Sequence, residues 1–332
     1  MDSITQLTLG AAVGEAVLGR KVGNRALFWG AICATLPDLD VFIPLGDAVS
    51  DFTYHRGYSH SLFVLAMVSP ILAFFIRKLN PAYADLKSGW WWLVFWSLIT
   101  HPLLDCFTVY GTQIFLPFSN YPVSGSAIFI IDPAYTLPLL CGVIAALLFS
   151  RSQKIGHFAN TAALIVSSLY LAWVVTIKNH VEEVAIQSLK DQGLITTQLL
   201  STPAPFNSFL WRFVAMGDKV YYEGYYSIFD QKKSVEFKKY SSQTGLLNNL
   251  SDQWAIKRLS WFSHGFFSVT ESNSKIIITD LRMGIEPDYV FRFIVAKRQE
   301  NEIIPTPNQA VKEPRNYDRV KWVWDRIWNE SA

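Results

Sequence analysis

Three short clusters of polar residues carry the side chains that could do chemistry in this sequence. They are Asp38 and Asp40, the stretch from His55 to Ser61, and the pair His101 and Asp105. Each cluster lies at or inside an apolar run, where a carboxylate or an imidazole is costly to bury unless it is paired or bound to a metal. We therefore expect the three clusters to form one site.

The stretch from residue 55 to residue 61 reads His-Arg-Gly-Tyr-Ser-His-Ser. A helix cap needs one hydroxyl, from Ser59 or Ser61, and does not need two imidazoles and a guanidinium. Imidazole nitrogens with carboxylate oxygens are the ligands expected for Zn²⁺ and similar divalent ions. The predicted metal ligands are Asp38, Asp40, His55, His60, His101, Asp105 and Asp132.

Several of these residues also have an ordinary structural interpretation. His101 and Asp105 are four residues apart, so on a helix they share a face and either ligate an ion or hydrogen-bond to each other. Asp38 and Asp40 also suit a polar helix terminus. Asp132 precedes a proline and is equally suited to cap the helix that follows. The presence of three histidines and at least three aspartates around one predicted site favours metal binding.

Arg56 and Asp40 are the predicted catalytic residues. Arg56 is the only basic residue on its predicted side of the membrane half, which suits it to an anionic group such as a phosphate, or to a carboxylate beside the metal. Its role would be to offset developing negative charge. The sequence contains no serine on a Gly-x-Ser-x-Gly elbow, so a serine hydrolase is not indicated.

Composition places part of the chain in a membrane. The 332 residues are 51% hydrophobic and only 17% charged, which is unusually apolar for a soluble protein. The net charge of +2 and the lack of a basic stripe with interleaved aromatics argue against nucleic acid as a partner. Cys33, Cys106 and Cys141 have no CxxC spacing and are interpreted as core residues.

The apolar runs predict a mainly α fold, with a polytopic bundle of about six membrane-embedded helices in residues 1–177. The expected helices span residues 4–19, 26–45, 61–76, 90–110, 127–150 and 157–177. Most approach the roughly 20 residues needed to cross a bilayer. Small residues at Gly10 and Gly14 should let another helix approach closely.

Basic residues predict the orientation of this bundle. On alternating topology, eight of the nine lysines and arginines up to residue 154 fall on one side, which should be cytoplasmic. The three polar clusters then lie near the opposite surface. We expect a multi-pass protein of the bacterial inner membrane whose later residues are extracytoplasmic.

Residues 178–332 have a different composition and are predicted to form a small α+β domain outside the membrane. Alternating, aromatic-rich segments such as 210–214, 220–227, 275–279 and 289–295 are typical of antiparallel strands. Three tryptophans, at 322, 324 and 328, predict a short helix at the end.

The motifs resemble those of a known family. Pro37-Asp38-Leu39-Asp40, His55 to Ser61, His101-Pro102-Leu103-Leu104-Asp105 and Asp132-Pro133-Ala134-Tyr135 look like the bacterial membrane-bound metal-dependent hydrolases of the YdjM type, often described as LexA-regulated inner-membrane proteins. The resemblance covers roughly residues 1–180. Members often carry a Thr-His pair near the N-terminus, where this chain has Thr5-Gln6. The pattern is faintly similar to the helical zinc phospholipase C and P1-type nuclease group, which implies phosphoester hydrolysis.

These observations predict a metal-dependent hydrolase with one or more divalent ions, foremost Zn²⁺. A site near the membrane surface favours a phospholipid or another lipid-linked phosphoester as substrate, and the outer domain is free to contact other proteins. The alternative is a non-enzymatic membrane protein, either a metal-ion transporter or an envelope assembly or scaffold factor. A transporter needs polar residues through the whole bilayer, and the inner halves of these helices have almost none.

Overall fold

The chain divides into two compact units. The computed structural model describes residues 1–149, 154–300, 302–311 and 318–330. The first unit comprises Met1–Ile43 and Arg56–Val175, and the second comprises Pro44–His55 and Thr176–Ala332. The boundary after Val175 is close to the predicted one at residue 177, but the second unit also includes the short early segment. Arg151, one of the basic residues used to predict orientation, lies outside the described residues.

Ten α-helices are found among the described residues. In chain order they are α1 (Ser3–Gly14), α2 (Arg20–Val22), α3 (Asn24–Thr35), α4 (Ala48–Tyr54), α5 (Leu62–Lys78), α6 (Lys87–Asp105), α7 (Pro133–Phe149), α8 (Ile155–Asp191), α9 (Trp254–Phe262) and α10 (Asp318–Trp328). A π-helical turn, Glu15–Gly19, links α1 to α2. Short 3-10 helices at Pro37–Phe42 and Tyr58–His60 lie between the longer elements of the first unit.

Close backbone contact between α1 and α3 forms the centre of the first unit. A Cβ atom at Gly10 would collide with the carbonyl oxygen of Gly30, and one at Gly14 would collide with that of Ala26. The prediction that small residues on the first helix admit a neighbouring helix is therefore confirmed. This contact brings the end of α3 next to α6, where the polar clusters meet.

The predicted bundle of six membrane-embedded helices is wrong. Among the described residues, only α8 is long and apolar enough to cross a membrane, with 37 residues that include an 18-residue stretch of mean hydropathy 1.7. A second span exists only if the bent pair Ala48–His60 and Leu62–Lys78 is counted as one. The 12-residue helix α3 reaches only about 18 Å at 1.5 Å per residue, against a hydrocarbon core of about 30 Å.

The physical reason is that the apolar residues of the short helices pack against one another. In α1, side chains such as Leu9, Ala11 and Ala12 are buried in a core shared with α6 and α7. The apolar run at 26–45 is broken because α3 ends at Thr35, before Pro37. An apolar run in this sequence therefore indicates either residues that are buried within the unit or residues that contact lipid.

The second unit contains three antiparallel sheets, as its alternating sequence predicted. The strand orders are β1-β2-β3-β4, β10-β9-β6-β5 and β7-β8. The strands are β1 (Gln198–Pro203), β2 (Leu210–Met216), β3 (Val220–Ser227), β4 (Lys238–Ser241), β5 (Phe267–Ser272), β6 (Lys275–Asp280), β7 (Gly284–Ile285), β8 (Asp288–Tyr289), β9 (Arg292–Gln299) and β10 (Glu302–Ala310). The predicted tryptophan-rich helix is α10.

The early segment Pro44–His55 belongs to the second unit because α4 packs into its aromatic core. The Phe52 ring lies 4.9 Å from that of Phe262 and 5.2 Å from that of Phe293. Arg258 donates from Nε to Thr53 Oγ1 over 2.9 Å and from Nη2 to the Thr53 carbonyl oxygen over 3.1 Å. The sequence between two of the polar clusters is thus part of another unit.

Candidate metal centre

Four of the predicted ligands converge inside the first unit. Asp38, His60, His101 and Asp105 each offer one ligand atom, and these atoms lie within 4.8 Å of one another. His101 and Asp105 project from the last turn of α6, so the i, i+4 spacing brings them together as predicted. His60, His101 and Asp105 are fully buried.

The spacing of the four ligand atoms suits one small cation. The Nε2 atoms of His60 and His101 are 3.1 Å apart, and Asp38 Oδ1 lies 3.3 and 3.4 Å from them. Asp105 Oδ2 lies 3.5 and 3.6 Å from the same two nitrogens. Ligands about 2.0–2.2 Å from a tetrahedral metal ion are roughly 3.3–3.6 Å apart. Of the five distances given above, four lie in this range and the fifth is 3.1 Å, so the group is of a size suited to one such ion.

Hydrogen bonds fix which ring nitrogens face the centre. His101 Nδ1 lies 2.5 Å from the carbonyl oxygen of Ala34, which only accepts, so Nδ1 donates and Nε2 of the neutral ring carries a lone pair. His60 Nδ1 lies 2.9 Å from Ser59 Oγ and 3.7 Å from Asp40 Oδ2. Either a proton on His60 Nε2 or a bound cation must therefore lie between the two Nε2 atoms, because His101 Nε2 presents a lone pair there.

Asp40 is placed behind His60 and not with the four central residues. Its Oδ2 accepts hydrogen bonds from Ser59 Oγ and from the backbone N–H of Arg56. A carboxylate behind a ligating histidine orients the ring and raises its basicity. The position of Asp40 matches this supporting role.

Gln6 contacts one of the four residues and the backbone of another. Its Nε2 donates to Asp105 Oδ1 over 3.0 Å and to the His101 carbonyl oxygen over 3.2 Å. The Met1 amino group also contacts Asp105 Oδ1, so the other carboxylate oxygen is left to face the centre. Gln6 Oε1 is buried without a hydrogen-bond partner among the described residues. This orphaned acceptor fits a cation nearby.

Arg56 is buried beside the centre in a strained conformation. Its Nε lies 3.2 Å from Asp105 Oδ2, and its Nη1 donates to Thr108 Oγ1 over 3.2 Å. The backbone has φ of +62°, which is uncommon for a residue other than glycine. Gln113 N–H donates to the Arg56 carbonyl oxygen and helps to hold this conformation. Such strain persists where the surrounding structure fixes it, often at functional sites.

Asp38 is ionised in this environment. Burial alone would raise the pKa of its carboxyl group, but the favourable interactions with the His101 and His60 imidazoles outweigh burial and hold the pKa below its usual value. An ionised carboxylate is the form that binds a divalent ion.

Besides Asp40, two further predicted ligands, His55 and Asp132, do not belong to the group of four. His55 is assigned to the second unit, at the end of α4. Asp132 caps α7: its Oδ1 accepts from the N–H groups of Ala134 and Tyr135, and its Oδ2 accepts from the Tyr170 hydroxyl over 2.9 Å. Of the two interpretations that the sequence left open for Asp132, the structure therefore shows the helix cap.

Sequence reasoning missed two residues that position the ligands. The Ala34 carbonyl, which orients His101, has no side-chain signal in the sequence. Gln6 was noted only as a departure from the family pattern, and its contacts show that it holds Asp105 and reaches the His101 backbone.

The fold and the site together define a class: a membrane protein with a candidate divalent-metal centre built on short helices. The chain belongs to the YdjM inner membrane protein family, whose family model matches residues 1–181. The resemblance inferred from the motifs is therefore confirmed.

Two relatives share part of this region. YfhP of Bacillus subtilis (strain 168), an uncharacterized protein, is 31% identical over 140 residues, covering 40% of this chain and 42% of the relative. The inner membrane protein YbcI of Escherichia coli (strain K12) is 38% identical over 112 residues, covering 33% of this chain and 63% of the relative. Each match thus spans less than two thirds of the relative's length. No solved structure matches the chain.

Proposed function

We propose that this protein is a metal-dependent hydrolase of the bacterial inner membrane, acting on a phospholipid or another lipid-linked phosphoester. The observation that carries the proposal is the convergence of two imidazole nitrogens and two carboxylate oxygens, all within 4.8 Å of one another. Zn²⁺ is the ion that we propose, since imidazole nitrogens and carboxylate oxygens are common zinc ligands and the four ligand atoms lie close together.

The residues around the centre have separable roles. A bound divalent ion would lower the pKa of a coordinated water and polarise the scissile phosphoester. Asp38, His60, His101 and Asp105 would hold the ion, and Asp40 would keep the His60 ring in place through Nδ1. Arg56, with its guanidinium already beside Asp105, would offset negative charge on a phosphate group.

Apolar side chains next to Asp38 support a lipid substrate. On and just after the 3-10 helix that carries Asp38, the exposed fractions are 64% for Val41, 79% for Phe42 and 59% for Ile43. Consecutive large apolar side chains are rarely left exposed in water without a function. Beside a centre suited to phosphoesters, they would contact acyl chains.

Metal content and hydrolysis measured on the same samples test the proposal. Detergent-purified protein is expected to contain about one divalent ion per chain. The metal content of His101→Ala should be at least tenfold lower. His180→Ala, which changes an exposed histidine of α8, should retain the ion and is the matched control. Hydrolysis of phosphatidylglycerol or a lipid-linked diphosphate should fall with the metal.

The two parts of the proposal fail in different ways. Wild-type protein without a bound ion, or His101→Ala with an undiminished ion, would reject the metal centre. A metal-loaded protein that hydrolyses none of a panel of phospholipids and lipid-linked phosphoesters would reject the phosphoester hydrolase and favour a non-enzymatic membrane protein.

A further inference from the structure

We propose that the second unit binds a neutral oligosaccharide in a cavity between β3, the loop that follows it, and α10. The cavity has a volume of about 580 Å³, and its lining includes Tyr225, Lys232, Glu236, Trp322, Arg326 and Glu330. Small-molecule sites usually enclose about 300–1,000 Å³. This site is independent of the proposed metal centre.

Two aromatic rings form a corner of the cavity. The Tyr225 and Trp322 rings are 4.9 Å apart at 82°, an edge-to-face arrangement. The Tyr225 hydroxyl donates to Glu223, which is buried inside the sheet, so the ring is held in place. A rigid aromatic surface is ready to contact the apolar C–H face of a ring-shaped ligand without first being ordered.

The loop after β3 is also fixed. The Val235 N–H donates to Ser188 Oγ over 2.9 Å, and Gln192 Nε2 donates to the Val235 carbonyl oxygen over 2.7 Å. Gly224 lets the loop cross β3 closely, because a Cβ there would lie 2.5 Å from Val235 Cγ1 and 2.9 Å from the Glu236 carbonyl oxygen. The cavity wall is therefore part of the folded unit.

The charges at the cavity exclude an anionic ligand. Arg326 is buried and makes a two-pronged pair with Asp230, with N–O distances of 2.8 and 2.7 Å, so its charge is already neutralised. The other cation in the lining is Lys232, and the lining also contains two acidic residues, Glu236 and Glu330. A phosphate or carboxylate ligand would meet no net positive charge.

The same polar groups suit the hydroxyls of a sugar. Lysine donates hydrogen bonds, carboxylates accept them, and the Ser234 hydroxyl in the lining does both. Together with an aromatic corner, a mixed set of donors and acceptors without excess positive charge matches a neutral ligand that carries many hydroxyls. We infer a neutral oligosaccharide because the volume exceeds what a single small sugar requires.

Calorimetric titration of the full chain in detergent tests this inference. The probes are N-acetylated chitotetraose and maltotetraose, with glucose 6-phosphate as an anionic probe and spermidine as a cationic one. Saturable binding of at least one neutral tetrasaccharide is expected. Trp322→Ala should weaken it at least tenfold, whereas Trp324→Ala, on the exposed side of the same helix, should change it less than twofold.

A second pair of variants covers the case in which Trp322→Ala fails to fold. Lys232→Ala should weaken binding at least threefold, and Lys233→Ala, an exposed neighbour that does not line the cavity, should leave it unchanged. The inference is overturned if neither neutral tetrasaccharide binds, if only the anionic or the cationic probe binds, or if the control variants lose affinity to the same extent.

Discussion

Each unit buries a cluster of charged and polar side chains, and the two clusters differ in whether their hydrogen-bond acceptors find partners among their own residues. In the second unit, Arg212 Nε lies 3.2 Å from Glu223 Oε1, and its Nη1 donates to the Leu281 carbonyl oxygen over 2.8 Å. Hydroxyls of Tyr225 and Tyr289 donate to the Glu223 carboxylate. One cation and one anion are thus paired, with both carboxylate oxygens accepting hydrogen bonds.

The centre in the first unit lacks such a balance. His101 Nε2 points its lone pair at His60 Nε2, and Gln6 Oε1 has no hydrogen-bond partner among the described residues. Burying acceptors in this way costs free energy unless a cation or a proton joins them. Burial and charge alone therefore do not distinguish a structural cluster from a functional one. The feature that distinguishes them is the presence of buried acceptors without a hydrogen-bond partner.

The largest expected effect comes from breaking the Arg212–Glu223 cluster, whose carboxylate oxygens already accept hydrogen bonds. Glu223→Gln should lower the free energy of unfolding of the second unit by about 3–5 kcal/mol, because it leaves Arg212 buried without a counter-charge. Chemical denaturation of the detergent-purified protein, followed by tryptophan fluorescence, measures this loss. A change below about 1 kcal/mol would show that the pair is not the structural element described above.

The matched control is the Glu271–Arg298 pair, whose side chains are 25% and 34% exposed, against 3% and 2% for Glu223 and Arg212. Glu271→Gln should lower the free energy of unfolding much less, since solvent screens that pair.

The pH dependence of stability provides a second check on the Arg212–Glu223 pair. Burial would raise the pKa of Glu223, but Arg212 outweighs burial and holds the pKa below its usual value. The contribution of Glu223 is therefore present above its unfolded pKa, near 4.3, and is lost as pH falls through the lower folded pKa. The difference between wild type and Glu223→Gln should shrink over that range.

A smaller effect is expected from supplying the cation to the metal centre. Addition of Zn²⁺ at about 100 times its dissociation constant to metal-stripped protein should stabilise the first unit by about 2.7 kcal/mol. Asp38→Asn should abolish this increment, because it removes an ionised ligand while keeping the shape of the side chain. Thermal unfolding with and without the ion measures it.

Asp132→Asn is the control for that measurement, since Asp132 is a buried aspartate outside the group of four. It should keep the zinc-dependent increment. If Asp38→Asn keeps the zinc-dependent increment as well, a proton on His60 would explain the contact between the two imidazoles. The cluster in the first unit would then be structural, like the one in the second unit.

The sequence predicted the central ligands because their chemistry is local. The His101–Asp105 spacing defines one helix face wherever that helix lies, and the cost of burying such groups suggested their partners. The number of membrane spans was not predictable in the same way. A run such as α1 is apolar whether it faces lipid or the core of its own unit, and hydropathy does not separate the two cases.

His55 shows a second limit of the sequence. It is five residues from His60, and nothing in the spacing indicates that the chain between Asp40 and Arg56 enters another unit. That assignment depends on contacts of Phe52 with rings more than 200 residues later in the chain. Long-range packing of this kind leaves no periodic signal.

The smallest expected effect concerns Asp132, for which the sequence left two interpretations open. Asp132→Ala should cost about 0.5–2 kcal/mol, the usual range for a lost N-cap, because the N–H groups of Ala134 and Tyr135 lose their acceptor. Metal content should stay at the wild-type level, which elemental analysis of the same sample measures. Loss of the ion from a variant that remains folded would return Asp132 to the ligand set. The centre would then comprise more than the four residues that converge here, and its contrast with the self-contained Arg212–Glu223 cluster would extend to the start of α7.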